Sequence, residues 1–237
     1  MNLLGKNKKK FWNFKAVDEK TAELTLYGEI SDYSWWGDEV TPKEFKEDLD
    51  ALGDIDVLNV YINSPGGDVF AGQAIYSMLK RHKAKINVYI DGLAASIASL
   101  IAMAGDKVIM PANAMMMIHN PWTWGMGNSN DFRKLADDLD KIRDSMIVAY
   151  EKKSALMINE IIEIMDAETW LSAQDCLDYG LADEIEETKE VAASVDKKYL
   201  AIYQNIPEGL KKPPTEGVKN NNEELKKKKL LLELELL

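Results

Sequence analysis

The sequence predicts an α/β fold made of repeated strand, turn and helix units in one compact domain. Two β-branched runs of strand length, Val57 to Asn63 and Ile86 to Ile90, each lead into turn residues and then a helical stretch. Strands alternating with helices in this way are the signature of βαβ units. The 237 residues, 46% of them hydrophobic, suffice for one sizeable core with appendages.

In chain order, the lysine-rich KNKKK start is a solvated charge cluster. Phe11, Trp12 and Phe14 then pack an N-terminal arm, residues 1–21, against a neighbouring surface. Glu23 to Ile30 alternates as a strand does, and Asp32 to Val40 is a loop carrying Trp35 and Trp36. Thr41 caps a helix with Pro42 at its first position and Glu44 where a capping box needs an acid. The strand Val57 to Asn63 runs into Ser64-Pro65-Gly66-Gly67, and a helix follows from about Ala71 to Arg81. After the strand ending at Ile90, Asp91-Gly92 is turn chemistry and Ala94 to Met103 a helix stopped by Gly105.

Val108-Ile109 and Ala114 to Ile118 are short strands, the second closed by His119-Asn120-Pro121. Trp122 to Asn130 is expected to be a loop or irregular extended segment. Asp131 to Leu156 is the longest helical pattern, with Phe132, Leu135, Leu139, Ile142, Met146, Ile147 and Tyr150 on one face, long enough to project. Ile158 to Met165 and the Ser172-capped stretch ending at Gly180 are helices, and Leu181 to Ile185 closes the domain. The main domain is thus expected over residues 22–187. Residues 188–237 read as linker or disorder, with several prolines, a triple asparagine and a four-lysine block before the Leu-rich end LLLELELL.

Composition excludes several classes. The net charge of -11, from 40 acidic and 29 basic residues, opposes general nucleic-acid binding. A single cysteine, Cys176, rules out a disulfide framework and a thiolate metal site and suits a reducing cytoplasm. No run reaches the length of a membrane span, and the start is too poor in apolar residues for a signal peptide. No metal or cofactor is expected.

One hydroxyl stands out. Ser96 lies where strand gives way to helix, near unpaired N–H groups whose dipole favours negative charge. That suits an acyl-transfer nucleophile, although a lone serine there is more often a helix cap. Only His82 and His119 are available as its base. His82 sits among cations in KRHKAK, whereas His119 follows the apolar AMMMI run and is presented at a strand end. The Gly66-Gly67 turn lets backbone N–H groups approach a ligand and hold an oxyanion or a peptide strand. For the orienting carboxylate, forty acidic residues leave spacing alone without a choice.

The blocks INSPGGDVFAG, DGLAASIAS, MMMIHNP and ETWLSAQDCLDYGLAD occur in an order that resembles the proteolytic subunit of Clp, a serine peptidase, and especially its phage branch of head maturation proteases. The likeness spans about Ala22 to Glu187. It implies a ClpP/crotonase-like spiral of ββα units with a projecting handle helix. It also implies a nucleophile at Ser96, a base at His119, and oxyanion N–H groups at Gly67 and Ile97. Where the family has an aspartate this chain has Glu168; Asp166, two residues earlier, is the competitor for the third place. A peptide would pair with Gly66-Gly67 and with the segment Trp122, Thr123, Trp124 and Gly125.

The implied assembly is a homo-oligomer of stacked rings joined by the handle helix. Implied partners are a peptide or protein substrate, capsid or scaffold protein among them, and an AAA+ ATPase unfoldase whose docking positions cannot be matched in KNKKKFWNF. The biased tail would serve assembly or self-cleavage, and the setting is host cytoplasm or prohead interior. Three rivals stand beside this reading: a crotonase-type acyl-CoA enzyme, a serine-lysine peptidase using Lys107, and a non-catalytic capsid scaffold.

Overall fold

The computed structural model describes residues 10–31, 41–187 and 203–207. Its fold is the α/β architecture expected. The elements are β1 (Trp12–Ala16), β2 (Thr21–Tyr27), α1 (Pro42–Asp50), β3 (Val57–Ser64), α2 (Val69–Arg81), β4 (Lys85–Ala95) and α3 (Ile97–Ala102). After them come β5 (Lys107–Pro111), β6 (Met115–Ile118), α4 (Ser129–Lys153), α5 (Ile158–Asp166), β7 (Thr169–Ser172), α6 (Ala173–Asp178) and β8 (Glu184–Glu186).

The main sheet has the order β1-β2-β3-β4-β5-β8, antiparallel at β1/β2 and parallel elsewhere. Alternate residues of β2, β3 and β4 turn inward. Leu24, Leu26, Leu58, Val60, Ile62, Ile86, Val88 and Ile90 are buried in one core with Phe45 and Leu49 of α1 and Ile75 and Leu79 of α2. Each such side chain contributes about 1.5–3 kcal/mol by leaving water. The opposite face stays half-buried and carries a stacked pair, Tyr61 and Tyr89.

The arm expected over residues 1–21 is in part sheet. Trp12–Ala16 pairs with Ala22–Leu26, and Trp12 is buried with its Nε1 donating to Asp48 at 2.8 Å. A tryptophan whose ring packs on Phe45 and whose N–H finds a carboxylate anchors an edge strand that alternation alone does not announce. The loop expected over Asp32 to Val40 lies outside the described residues.

Asp91-Gly92 is not a turn. The chain stays extended through it, so β4 is eleven residues long and changes partner midway. Asn87–Tyr89 pair with β5, whereas Leu93–Ala95 pair with β6. The register against β3 shifts between Ile62 and Ser64 at the same level. A glycine inside a strand marks such a bend, and Tyr27 at the end of β2, across β3, donates its hydroxyl to Asp91. The helix after it is consequently shorter than Ala94 to Met103, beginning only at Ile97.

β6 pairs in turn with β7, antiparallel, a strand that the sequence reading passed over. Only four residues long and flanked by helices, Thr169–Ser172 carries too little pattern to be read as a strand. The long helix α4 has an Asn128 cap closed by Asp131 and buries only its last turns, through Met146, Ile147, Ala149 and Tyr150. Its first half stands away from the core with Phe132 half exposed. No helix among the described residues is long and apolar enough to cross a membrane.

Candidate active site

One ladder brings Ser96 and His119 together. β4 and β6 run parallel with Ala95 level with Met117, and Ser96 N donates to Met117 O at 2.8 Å. Ser96 follows the end of one strand and His119 the end of its neighbour, at the carboxyl edge where open α/β sheets bind ligands. Ser96 Oγ and His119 Nε2 are 2.7 Å apart, and both residues are buried.

The backbone explains why Ser96 is not an ordinary cap. It occupies the N-cap position of α3 with φ 56 and ψ -129 and makes no side-chain cap bond. Among the described residues only Ser96 and Glu168 combine a positive φ with a side chain. Such strain costs about 1–3 kcal/mol and persists where surroundings over-determine it. Here Ser99 Oγ donates to Ser96 O at 2.6 Å and meets the Tyr150 hydroxyl at 2.8 Å, so the buried end of α4 steadies the turn. The hydroxyl is thereby aimed at His119 instead of at the helix, the arrangement of a serine on a strained strand-to-helix turn.

Gly66 and Gly67 form the floor. Ser64 Oγ bonds Gly28 O and accepts from Gly66 N, while Ile30 N donates to Gly66 O and Asp68 N to Ile30 O. A Cβ at Gly67 would lie 1.9 Å from Ile30 O, and one at Gly66 would lie 2.6 Å from Ser96 Cβ. Glycine is therefore required at both for backbone to approach this closely. The Gly67 N–H takes no part in the Ile30 bridge, and Ile97, first residue of α3, has no intrahelical acceptor for its own N–H.

The antiparallel β6/β7 ladder ends at Ile118 opposite Thr169, so the chain just before β7, with Asp166 and Glu168, lies near His119. Asp166 lies at the end of α5 and accepts from Asn120 Nδ2 at 2.7 Å. Burial holds the His119 pKa below its ordinary value, and the nearby Glu168 charge pulls it back upward. Yet Glu168 makes no hydrogen bond to the imidazole. Its Oε1 accepts from Gln204 N at 2.6 Å and Asn205 N at 2.8 Å.

Those donors come from the expected linker. Tyr203–Pro207 packs on the domain, with Ile206 buried, the Tyr203 hydroxyl donating to Pro65 O, and the Tyr203 ring edge-to-face with both His119 and Trp170. Sequence reasoning missed this segment because prolines and charges on its flanks set the character of the tail. The apolar residues of YLAIYQNIP were the available signal.

Three adjoining cavities share Trp122. One of about 220 Å³ lies over Ser96 and His119, between Gly66, Gly67 and Tyr203. A second, of about 340 Å³, is lined by Val69, Phe70, Thr123, Leu135 and Ile142. The third, of about 510 Å³, reaches Trp124, Asp166 and Glu168. Gly125 lines none of them and packs towards Leu135 instead.

The other candidates separate from the site. His82 caps the end of α2 and accepts from Ala84 N, and Lys107 pairs with Glu184 of β8. Among the described residues no cluster of His, Cys, Asp or Glu could hold a metal.

A family model described as Clp protease matches residues 47–189. An ATP-dependent Clp protease proteolytic subunit of Deinococcus radiodurans is 34% identical over 146 residues, which cover 60% of this chain and 71% of that protein. The chain belongs to the Clp protease family. Membership sets aside the crotonase-type reading, and the Lys107–Glu184 pair removes the serine-lysine one. The Clp match ends before Tyr203, so the contacts of that segment on the site lie outside what the family model describes.

Proposed function

We propose that the chain is a serine endopeptidase in which Ser96, His119 and Glu168 form the triad. The observation that carries this is the 2.7 Å contact between Ser96 Oγ and His119 Nε2 at a helix start beside the Gly66-Gly67 floor. His119, kept neutral by burial, takes the Ser96 proton as Oγ attacks the peptide carbonyl. The N–H groups of Gly67 and Ile97 face the oxyanion that forms. The imidazolium is stabilised by Glu168, favoured over Asp166 because its charge acts on His119 while Asp166 is engaged by Asn120. The same imidazolium then protonates the leaving amine, and water, deprotonated by His119, releases the acyl group from Ser96.

The peptide lies along the Gly66-Gly67 turn with Trp122, Thr123 and Trp124 on its other side, pairing mainly through its backbone. The apolar cavity between Phe70 and Leu135 receives a side chain. Stacked rings rest on the exposed first half of α4, and partnership with an AAA+ unfoldase rests on family membership and on the ATP-dependent relative. A phage capsid or scaffold substrate, cut in the cytoplasm or the prohead, rests on the resemblance of the four motif blocks alone.

The test is reaction with a fluorophosphonate probe followed by peptide mapping. Modification at Ser96, lost in Ser96→Ala, is the expected result. Assembled protein that leaves the probe untouched would overturn the reading and favour a scaffold without catalysis.

A further inference from the structure

We propose that Tyr203, Gln204 and Asn205 are positioning residues of the active site, holding the Glu168 carboxylate where it can serve His119; this rests on the triad reading above. Three independent contacts converge there. The peptide N–H groups of Gln204 and Asn205 both bond Glu168 Oε1. Asn205 Nδ2 donates to Ala167 O at 2.8 Å, tying down the residue before Glu168. Tyr203 spans the site, its ring against His119 and its hydroxyl on Pro65 O, next to the glycine floor.

The need for such a clamp follows from the side chain. Glutamate carries one more rotatable bond than aspartate, so a carboxylate reaching an imidazole through it has more conformations to lose. Glu168 also sits at φ 46, a backbone state that a non-glycine residue leaves unless it is held. Two N–H donors on a single oxygen fix the orientation of the carboxylate, and they leave Oε2 for the imidazolium. The family model ends at residue 189, so the device belongs to this chain's own C-terminal part.

The experiment measures, on the full chain, the rate of Ser96 labelling by a fluorophosphonate as a function of pH. Asn205→Pro and, separately, Gln204→Pro each delete one N–H from the clamp. Each is expected to slow maximal labelling about tenfold with little change in probe affinity, because a mispositioned base acts on the chemical step. Each is also expected to move the acid limb to lower pH, since Glu168 no longer lifts His119. Asn205→Ala keeps the N–H and is expected to keep the limb in place, with a smaller loss of rate.

Faster labelling in the proline variants would overturn the proposal and make the segment an inhibitory cover. A limb moving to higher pH would do so too, because that is the signature of lost burial alone. Glu168→Gln separates the two readings. If it slows labelling while the proline variants do not, only the clamp is wrong; if it too labels like the unaltered chain, the triad assignment falls first.

Discussion

Replacing Gly66 by alanine tests whether the glycine floor sets the position of the Ser96 hydroxyl. The new Cβ would stand 2.6 Å from Ser96 Cβ and 2.8 Å from Ala95 O. Carbon atoms rest about 3.5–4.0 Å apart, so Ser96 or the turn has to move by about 1 Å. A reacting group displaced by that much loses about 100-fold in rate. The φ of 98 at Gly66 adds a conformational cost of about 1–3 kcal/mol that has nothing to do with Ser96. Gly28 isolates that cost, because its φ is 88 and a Cβ there meets nothing within 4 Å. Gly28→Ala and Gly66→Ala are therefore both expected to lower the free energy of urea unfolding by about 1–3 kcal/mol, Gly66→Ala somewhat further from crowding. Only Gly66→Ala should slow fluorophosphonate labelling of Ser96 by about 100-fold. Equal labelling rates for the two variants would show that the floor does not position the hydroxyl.

Three further outcomes follow from buried groups. Burial depresses the His119 pKa below its ordinary 6.5, so the acid limb of labelling should lie below that pH, and Glu168→Gln should lower it again while Asp166→Asn leaves it in place. The same shift makes the unfolded chain take up this proton first, so His119's contribution to stability declines as pH falls through 6.5, a trend that unfolding curves at several pH values would show and that His119→Gln should remove. At the Ser99–Tyr150 contact, Ser99→Ala leaves a fully buried phenol hydroxyl without that partner and should cost about 1–3 kcal/mol, whereas Tyr150→Phe should cost about 1 kcal/mol; calorimetry showing the reverse order would contradict the buried bond.

Much of the architecture was legible because it rests on local chemistry. Thr41, Pro42 and Glu44 start α1 as a capping box, and Ser172 starts α6 in the same way. β3 and β4 announce themselves by alternating β-branched residues. Where the reading failed, a distant partner decided. Asp91-Gly92 has turn composition, yet β5 and β6 claim successive halves of β4 and keep the chain extended. Trp12–Ala16 became sheet through Phe45 and Asp48, some thirty residues on.

The site divides along the same line. The residues themselves determined that a serine at a strand-to-helix junction, a histidine at a strand end and a double glycine were available, and motif order supplied a family in which they act together. Which carboxylate stands across from the histidine was beyond spacing, because Asp166 and Glu168 are two residues apart. The pairing of β6 with β7 brings both close to His119, where Asn120 engages Asp166 and the Glu168 charge acts on the imidazole. The hold of Gln204 and Asn205 on that carboxylate was further out of reach. A backbone N–H carries no side-chain signature, and where it points depends on how the whole chain returns to the sheet edge.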